Sequence, residues 1–243
     1  MKKVTLLVVL IAMSAHVFSI TDRIKLGLSV SPGVSWMKPT GNEISKGVAG
    51  LGLQYGLHIE YYFKDRNYAI STGLFGGIDG GGLKGRDTFK VLTHGASVLE
   101  RYNTNYLMLP IYLKLKTNPF KNRYILFGEI GPSFVFNVSS RANYNMSVPD
   151  PSGNGSTVTI VKENVLRDGN EVQQLIPGFR YQVFDFRLSV AGGMEYIIND
   201  KTAVFVALRY NNGFVNQIND RSVNPKKDPT VVRNVLLTFG AMF

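Results

Sequence analysis

Ten ionisable side chains in this chain of 243 residues sit at alternate positions within otherwise apolar runs. They are Lys25, His58, Glu60, Lys114, Lys116, Glu129, Asp185, Arg187, Glu195 and Arg209. Such residue types support proton transfer, metal binding or ion pairing. His58 and Glu60 lie two apart, so on a strand they share a face and can hydrogen-bond as an acid–base pair. No serine can be placed beside them from the sequence, so a nucleophile is missing. Beyond the first twenty residues His94 is the only other histidine, and the chain has Cys 0. Two histidines without ligand spacing make no metal site, and nothing in the chain calls for a cofactor. Ion pairing is the chemistry that remains. Lys25, Lys114, Lys116, Arg187 and Arg209 face Glu60, Glu129, Asp185 and Glu195, five positive charges against four negative. An unpaired buried charge is costly, so near-balance on one face implies a salt-bridged interior. The competing reading is a restricted path for ions or small solutes lined by the same groups.

Two other motifs carry little chemistry. The segment Asp79-Gly80-Gly81-Gly82-Leu83-Lys84-Gly85-Arg86 resembles a phosphate cradle but lacks the Gly-Lys-Ser/Thr ending. Its composition reads as a mobile loop. The triplets at Asn137, Asn145 and Asn154 match a glycosylation acceptor, which an Asn/Ser-rich loop produces by chance.

The elements that position the charged face are strands. In residues 106–116, YLMLPIYLKLK, Leu107, Leu109, Ile111, Leu113 and Leu115 fall on one parity. Tyr106, Met108, Pro110, Tyr112, Lys114 and Lys116 fall on the other. Strict alternation is the period of a strand, because successive side chains point to opposite faces. The same pattern recurs over 23–36, 50–63, 68–78, 124–138, 183–197, 203–212 and 231–243, giving eight strands in all. Turns 64–67, 117–122 and 199–201 are short. The connections 37–49, 79–104, 139–180 and the one holding Asn219 to Pro229 are long. Within 139–180, residues 157–161 are β-prone and read as a small hairpin beyond the barrel.

Loops sorted by length and an even strand number describe an all-β, eight-stranded antiparallel up-and-down transmembrane barrel with short periplasmic turns and long extracellular loops. Aromatic belts agree. On the aliphatic parity Tyr61, Phe63, Tyr68, Tyr124, Tyr196 and Phe243 lie near the short turns. Trp36, Phe134, Phe136, Phe184, Phe186 and Tyr210 lie near the long loops. A mean hydropathy of +0.01 is too low for membrane helices and suits a barrel, where alternate residues are polar. Some eight-stranded barrels process lipid acyl chains with a His and a Ser. Here His58 faces the lumen, out of reach of such a substrate, so the chain reads as no enzyme.

Residues 1–19 carry Lys2 and Lys3, an apolar run and Val17-Phe18-Ser19, the plan of a secretory signal peptide cut after Ser19. The run is too short to span a bilayer as a helix. The barrel domain is then 20–243. It holds 25 basic and 17 acidic residues, a net of +8. An exported basic barrel implies outer-membrane lipid and lipopolysaccharide phosphates as neighbours and excludes nucleic acid. Small basic excesses at Lys84, Arg86 and Lys90 and at Arg221, Lys226 and Lys227 point the same way. The terminal Phe243 is the position that a bacterial barrel-assembly machinery reads.

Tyr106, Leu107, Leu109, Pro110, Ile111, Leu113 and Lys114, followed by Gly128-Glu129-Ile130-Gly131-Pro132, resemble the PorT-like outer-membrane barrels of Bacteroidetes. In many relatives an acid stands where this chain has Met108. The resemblance implies an outer-membrane barrel of eight strands, located in the bacterial outer membrane. It also implies a role as an interaction component of the envelope, with secretion-complex proteins of the type IX system as partners. The alternative is a minor porin-like barrel for small solutes or ions.

Overall fold

The computed structural model describes residues 23–40, 44–86, 97–148, 156–162, 179–199, 202–220 and 229–243. The signal segment 1–19, His94, Lys90, Asn154, Arg221, Lys226 and Lys227 lie outside the described residues. Eleven strands follow in chain order: β1 (Ile24–Pro39), β2 (Ile44–Tyr62), β3 (Tyr68–Arg86), β4 (Ser97–Lys116), β5 (Tyr124–Val148), β6 (Ser156–Lys162), β7 (Phe179–Tyr181), β8 (Phe184–Ile197), β9 (Ala203–Gly213), β10 (Ile218–Asp220) and β11 (Thr230–Met242). No helix occurs among the described residues.

Eight of these strands close on themselves. The order β4-β3-β2-β1-β11-β9-β8-β5 is completed by pairing of β4 with β5, and every ladder is antiparallel. Closure removes both sheet edges, the condition for β-structure in lipid. The first and last strands join at the short-turn end, where Leu26 and Phe243 exchange backbone hydrogen bonds of 3.1 and 2.7 Å.

Alternation is carried through to burial. Leu107, Leu109, Ile111, Leu113 and Leu115 are 43–49% exposed, while Met108, Tyr112 and Lys114 are 1–2% exposed. A soluble sandwich would bury the leucines and expose the lysine. Here the aliphatic parity faces outward all round the barrel, and lipid is the medium that covers it.

The short turns are built from local polar chemistry. Asp65 Oδ1 accepts from the Asn67 N–H at 2.9 Å, and Asn199 Oδ1 from the Thr202 N–H at 2.8 Å. Lys121 and Asn122 take left-handed backbone at φ 48° and 58°, which tightens the β4–β5 reversal.

At the opposite end the strands run further than composition suggested. The connection 37–49 shrinks, because β1 continues to Pro39 and β2 begins at Ile44. The segment 79–86, expected as a mobile loop, is the upper part of β3, and Lys84 and Arg86 belong to that strand. Its glycines serve close strand approach. A Cβ on Gly50 would lie 2.5 Å from the carbonyl carbon of Gly80, and one on Gly47 would lie 2.4 Å from that of Gly82. The β2–β3 register slips between Lys46 and Gly52, so glycine here marks a bulged, tightly apposed ladder. Residues 139–148, also expected as loop, extend β5. A register shift opposite Asn105 and Tyr106 inserts one residue, after which Ser140 and Ala142 take over the inward positions. The β-prone segment forms β6, paired with residues 142–148 of β5 as a hairpin.

The wall is therefore uneven: β5 has 25 residues, whereas β8, β9 and β11 have 14, 11 and 13. Over the low side folds the two-stranded sheet β7–β10. It brings Tyr181 and Ile218 into a buried cluster with Met37, Leu83, Tyr102, Ala142 and Val232, which fills the upper lumen. Asn137 Nδ2 holds this cap by donating to the Gln182 carbonyl at 2.7 Å and to Gln217 Oε1 at 2.9 Å.

Gly73 has φ +157°, and a Cβ there would meet the Leu57 carbonyl oxygen at 1.9 Å, whereas one on Gly192 would meet nothing within 4 Å. Gly73→Val should cost about 1–3 kcal/mol of overpacking. The folded, heat-modifiable band on cold SDS gels should shrink accordingly after refolding, with Gly192→Ala unchanged.

Candidate functional site: a charged lumen

The inward parity of the eight strands supplies a stack of polar layers. Nearest the short turns, Lys114 on β4 is the hub. Its Nζ bonds Glu60 Oε1 of β2, lies 2.7 Å from Glu195 Oε1 of β8 and 3.5 Å from Glu129 Oε1 of β5. Lys116 Nζ lies 3.2 Å from Glu60 Oε2 and 2.9 Å from Glu195 Oε2, and it also bonds the Tyr62 hydroxyl. Tyr62 in turn donates to Glu60. Arg209 Nη2 of β9 reaches Glu129 Oε2 at 2.5 Å. Three cations thus meet three carboxylates, every one of them buried in side-chain terms. Because β4 stands two strands from both β2 and β8, which lie four strands apart on opposite sides of the barrel, these bonds tie opposite walls together through the lumen.

Aromatic rings pack against the same cations. Lys114 Nζ lies 4.1 Å from the Phe127 ring centroid and the Arg209 guanidinium 4.6 Å from that of Tyr112. Such contacts offset part of the lost hydration. Above this layer the Tyr112 hydroxyl bonds Ser133 at 2.8 Å and Ser189 at 3.1 Å, and the two serines bond each other at 3.0 Å.

The next layer centres on Arg187. Its Nε donates to Asp185 Oδ2 at 2.7 Å and its Nη1 to Asp79 Oδ2 at 2.6 Å. Asp79 Oδ1 accepts from Asn234 Nδ2 at 2.9 Å, and Asn234 Oδ1 from Asn211 Nδ2 at 2.6 Å. Asp79, Arg187 and Asn234 stand on β3, β8 and β11, so this layer also spans the interior.

The sequence-derived set divides as follows. Glu60, Lys114, Glu129, Glu195 and Arg209, with Lys116, form one network, and Asp185 with Arg187 belongs to a second. His58 does not bond Glu60. Its Nε2 lies 2.7 Å from Ser29 Oγ, and its ring packs edge-on against Phe75 and Phe205 at 4.7 and 5.5 Å. A serine does stand beside the histidine, on a neighbouring strand that sequence spacing cannot align. Lys25 joins no ion pair among the described residues, and its Nζ lies 6.0 Å from the Tyr62 ring centroid. Asp79 was missed, since the glycines around it read as loop. The parity of Ser71, Gly73, Phe75 and Gly77 runs straight to it. With Asp79 included, five buried carboxylates face the five basic residues on this parity: Glu60, Asp79, Glu129, Asp185 and Glu195.

Removing one partner of a buried pair strands the other charge, at a cost of about 3–5 kcal/mol. Lys114→Met should lower the stability of the refolded barrel by that order in urea titrations in lipid vesicles. Adding Glu60→Gln to it should recover part of the loss, because one stranded carboxylate is then neutral.

The sequence profile of a family described as outer membrane protein beta-barrel domain matches residues 18–219. No curated protein sequence matches this chain. Among solved structures, it is similar to OprG from Pseudomonas aeruginosa at 14% identity, covering 90% of this chain and 95% of that one with a TM-score of 0.43. Neisserial surface protein A is similar at 12% identity, with the same shares and a TM-score of 0.40. Ail, the attachment invasion locus protein of Yersinia pestis, is similar at 13% identity, with 91% and 99% covered and a TM-score of 0.31.

Proposed function

Because the chain belongs to the outer membrane protein beta-barrel domain family and so resides in the bacterial outer membrane, we propose that it acts there as a closed, non-enzymatic anchoring barrel. On this reading the strands hold the protein in the bilayer and the outer end presents a binding platform to other envelope components. The observation that carries it is the lumen. Lys114, Glu60, Glu195, Lys116, Glu129 and Arg209 are ion-paired with one another across the lumen, a device that braces walls and leaves charge unavailable to passing solutes. The Arg187 layer and the β7–β10 cap lie above it.

The tall β3–β6 wall is the platform. The likeness of Tyr106–Lys114 and Gly128–Pro132 to PorT-like barrels supports a protein-secretion assembly of the type IX kind as the complex served. The barrel-assembly machinery, reading Phe243, is the insertion partner on this account.

Two measurements test the two parts. Purified protein in planar bilayers should give no steady single-channel conductance, and sustained channels would return the assignment to a minor porin. A strain lacking the gene should accumulate unprocessed, C-terminally sorted cargo in the periplasm. Unchanged export would remove the secretion role and leave the closed barrel intact.

A further inference from the structure

Lys25 faces inward on β1 and stands directly opposite Glu60 in the β1–β2 register. A cross-strand ion pair is the expected outcome of that placement. It does not form, because both Glu60 oxygens are taken: Oε1 by Lys114, and Oε2 by Lys116 and the Tyr62 hydroxyl. Glu195 is shared in the same way between Lys114 and Lys116, and Glu129 between Lys114 and Arg209. Lys25 is thus a fourth cation in a layer of three carboxylates, and it joins no ion pair among the described residues. The matching surplus of acid, Asp79 and Asp185 against Arg187, lies in the upper layer, beyond Tyr112, Ser133 and Ser189. The equal totals of the lumen therefore conceal one uncompensated positive charge at its short-turn, periplasmic mouth.

The mouth around that charge has two unlike walls. On the first, Lys25 Nζ and Lys116 Nζ lie 6.0 and 4.7 Å from the centroid of the same Tyr62 ring. Exposed Arg23 shares the parity of Lys25, and its carbonyl accepts the Tyr62 N–H at 2.8 Å. On the second, Ile125 of β5 and Ile197 of β8 hold inward positions and are only half-buried. Strand β5 stands diametrically opposite β1, so the cationic and apolar walls face each other. Further in, Phe127, Phe205 and Met242 pack in one buried cluster and close the cup at its inner end. Asp65, an acid of the neighbouring β2–β3 turn, has its Oδ1 held by the Asn67 N–H.

We propose that this cup is a binding site for the C-terminal carboxylate of a periplasmic polypeptide that ends in an apolar residue. The inference rests on the outer-membrane orientation of the barrel and is independent of the outer platform. A monoanion is the charge that balances the layer, whereas a dianionic phosphate would bring a further negative charge beside Glu60 and Glu195. Lys25 donates to the carboxylate as a mobile point charge, with Arg23 at the lip. The apolar side chain lies against Ile125 and Ile197. The interior of an eight-stranded barrel is just wide enough for side chains, so a chain end fits it end-on and a folded surface does not.

The test uses the mature protein folded in uncharged detergent, with binding read by fluorescence anisotropy of a labelled tripeptide, two glycines and a terminal leucine. Probes are the free acid, its C-terminal amide, and acetate as an unlabelled competitor. The wild type should bind the acid and not the amide. Lys25→Gln should bind the acid at least about tenfold more weakly, and Lys25→Arg should keep most of the affinity. Ile125→Ser should weaken binding severalfold, and Lys64→Gln, on the exposed β2–β3 turn, should bind as the wild type does. Because Lys25→Gln removes a surplus cation and strands no carboxylate, its urea midpoint in lipid vesicles should equal or exceed that of the wild type, unlike Lys114→Met. Equal affinity of folded Lys25→Gln and wild type overturns the proposal, as does equal binding of acid and amide. Full competition by acetate at the concentration of the peptide would reduce the cup to a generic anion surface and also overturn it. A loss of stability in Lys25→Gln as large as that of Lys114→Met would make Lys25 a member of the network and count against the cup. A barrel that stays silent in planar bilayers and binds no peptide would leave the closed-barrel reading intact and remove the cup alone.

Discussion

Charge can stay on this barrel only where something neutralises it, and that constraint organises the molecule. Five carboxylates are carried into a narrow interior bounded by lipid on every side. Each must find a cation there, because the cost of an unpaired ion in such surroundings exceeds what a single strand pairing returns. Lys114 answers for three of them at once from one strand position. Its contacts to Glu60 and Glu195 reach strands that share no ladder with β4, so these ion pairs brace the barrel across its width as the backbone ladders close it around its circumference.

Much of this was legible in the residues. Period-two alternation located all eight barrel strands, because a barrel in lipid enforces an apolar residue at every second position. The inward and outward faces follow from parity alone, and ten ionisable residues of the inward face could be named from it. What the sequence withheld has physical causes. Glycine in 80–85 reads as loop by composition, yet there it permits two backbones to approach more closely than a Cβ allows. That misreading hid Asp79, and with it the equal numbers of acids and bases in the interior. The bulge in β5 shifts parity by one residue through a change in ladder geometry that no side-chain pattern announces. The cap of β7 and β10 is made of three-residue strands, too short for any periodicity to register. The pairing of His58 with Ser29 depends on β1–β2 register, which lies beyond local sequence.

The same economy of charge extends outward. Acids turn in and meet their partners, while basic residues occupy both the lumen and the rim on the loop side. A buried hydrophobic cluster and exposed basic residues occupy opposite faces of the same strands, at Met37 and Lys38, Leu83 and Lys84, Tyr102 and Arg101, and Ala142 and Arg141. One short stretch of each strand therefore seals the lumen with one side chain and addresses the membrane surface with the next. Sealing the lumen and meeting the membrane surface are then a single structural act.

The central claim is that the lumen is filled and dry at its middle layer. The chain has Cys 0, so a single introduced thiol reports on its own position without background. Ser133 and Ser189 lie in that layer, 0% and 1% exposed, and Ser→Cys is nearly isosteric there. The decisive measurement is the labelling rate of Ser189→Cys by a small, charged, membrane-impermeant thiol reagent in folded protein, with Lys38→Cys on the outer rim as the accessible reference. The account predicts that the rim cysteine reacts promptly and that the lumen cysteine reacts only after unfolding. Comparable rates at both positions in the folded barrel would mean an open, hydrated channel and would contradict it.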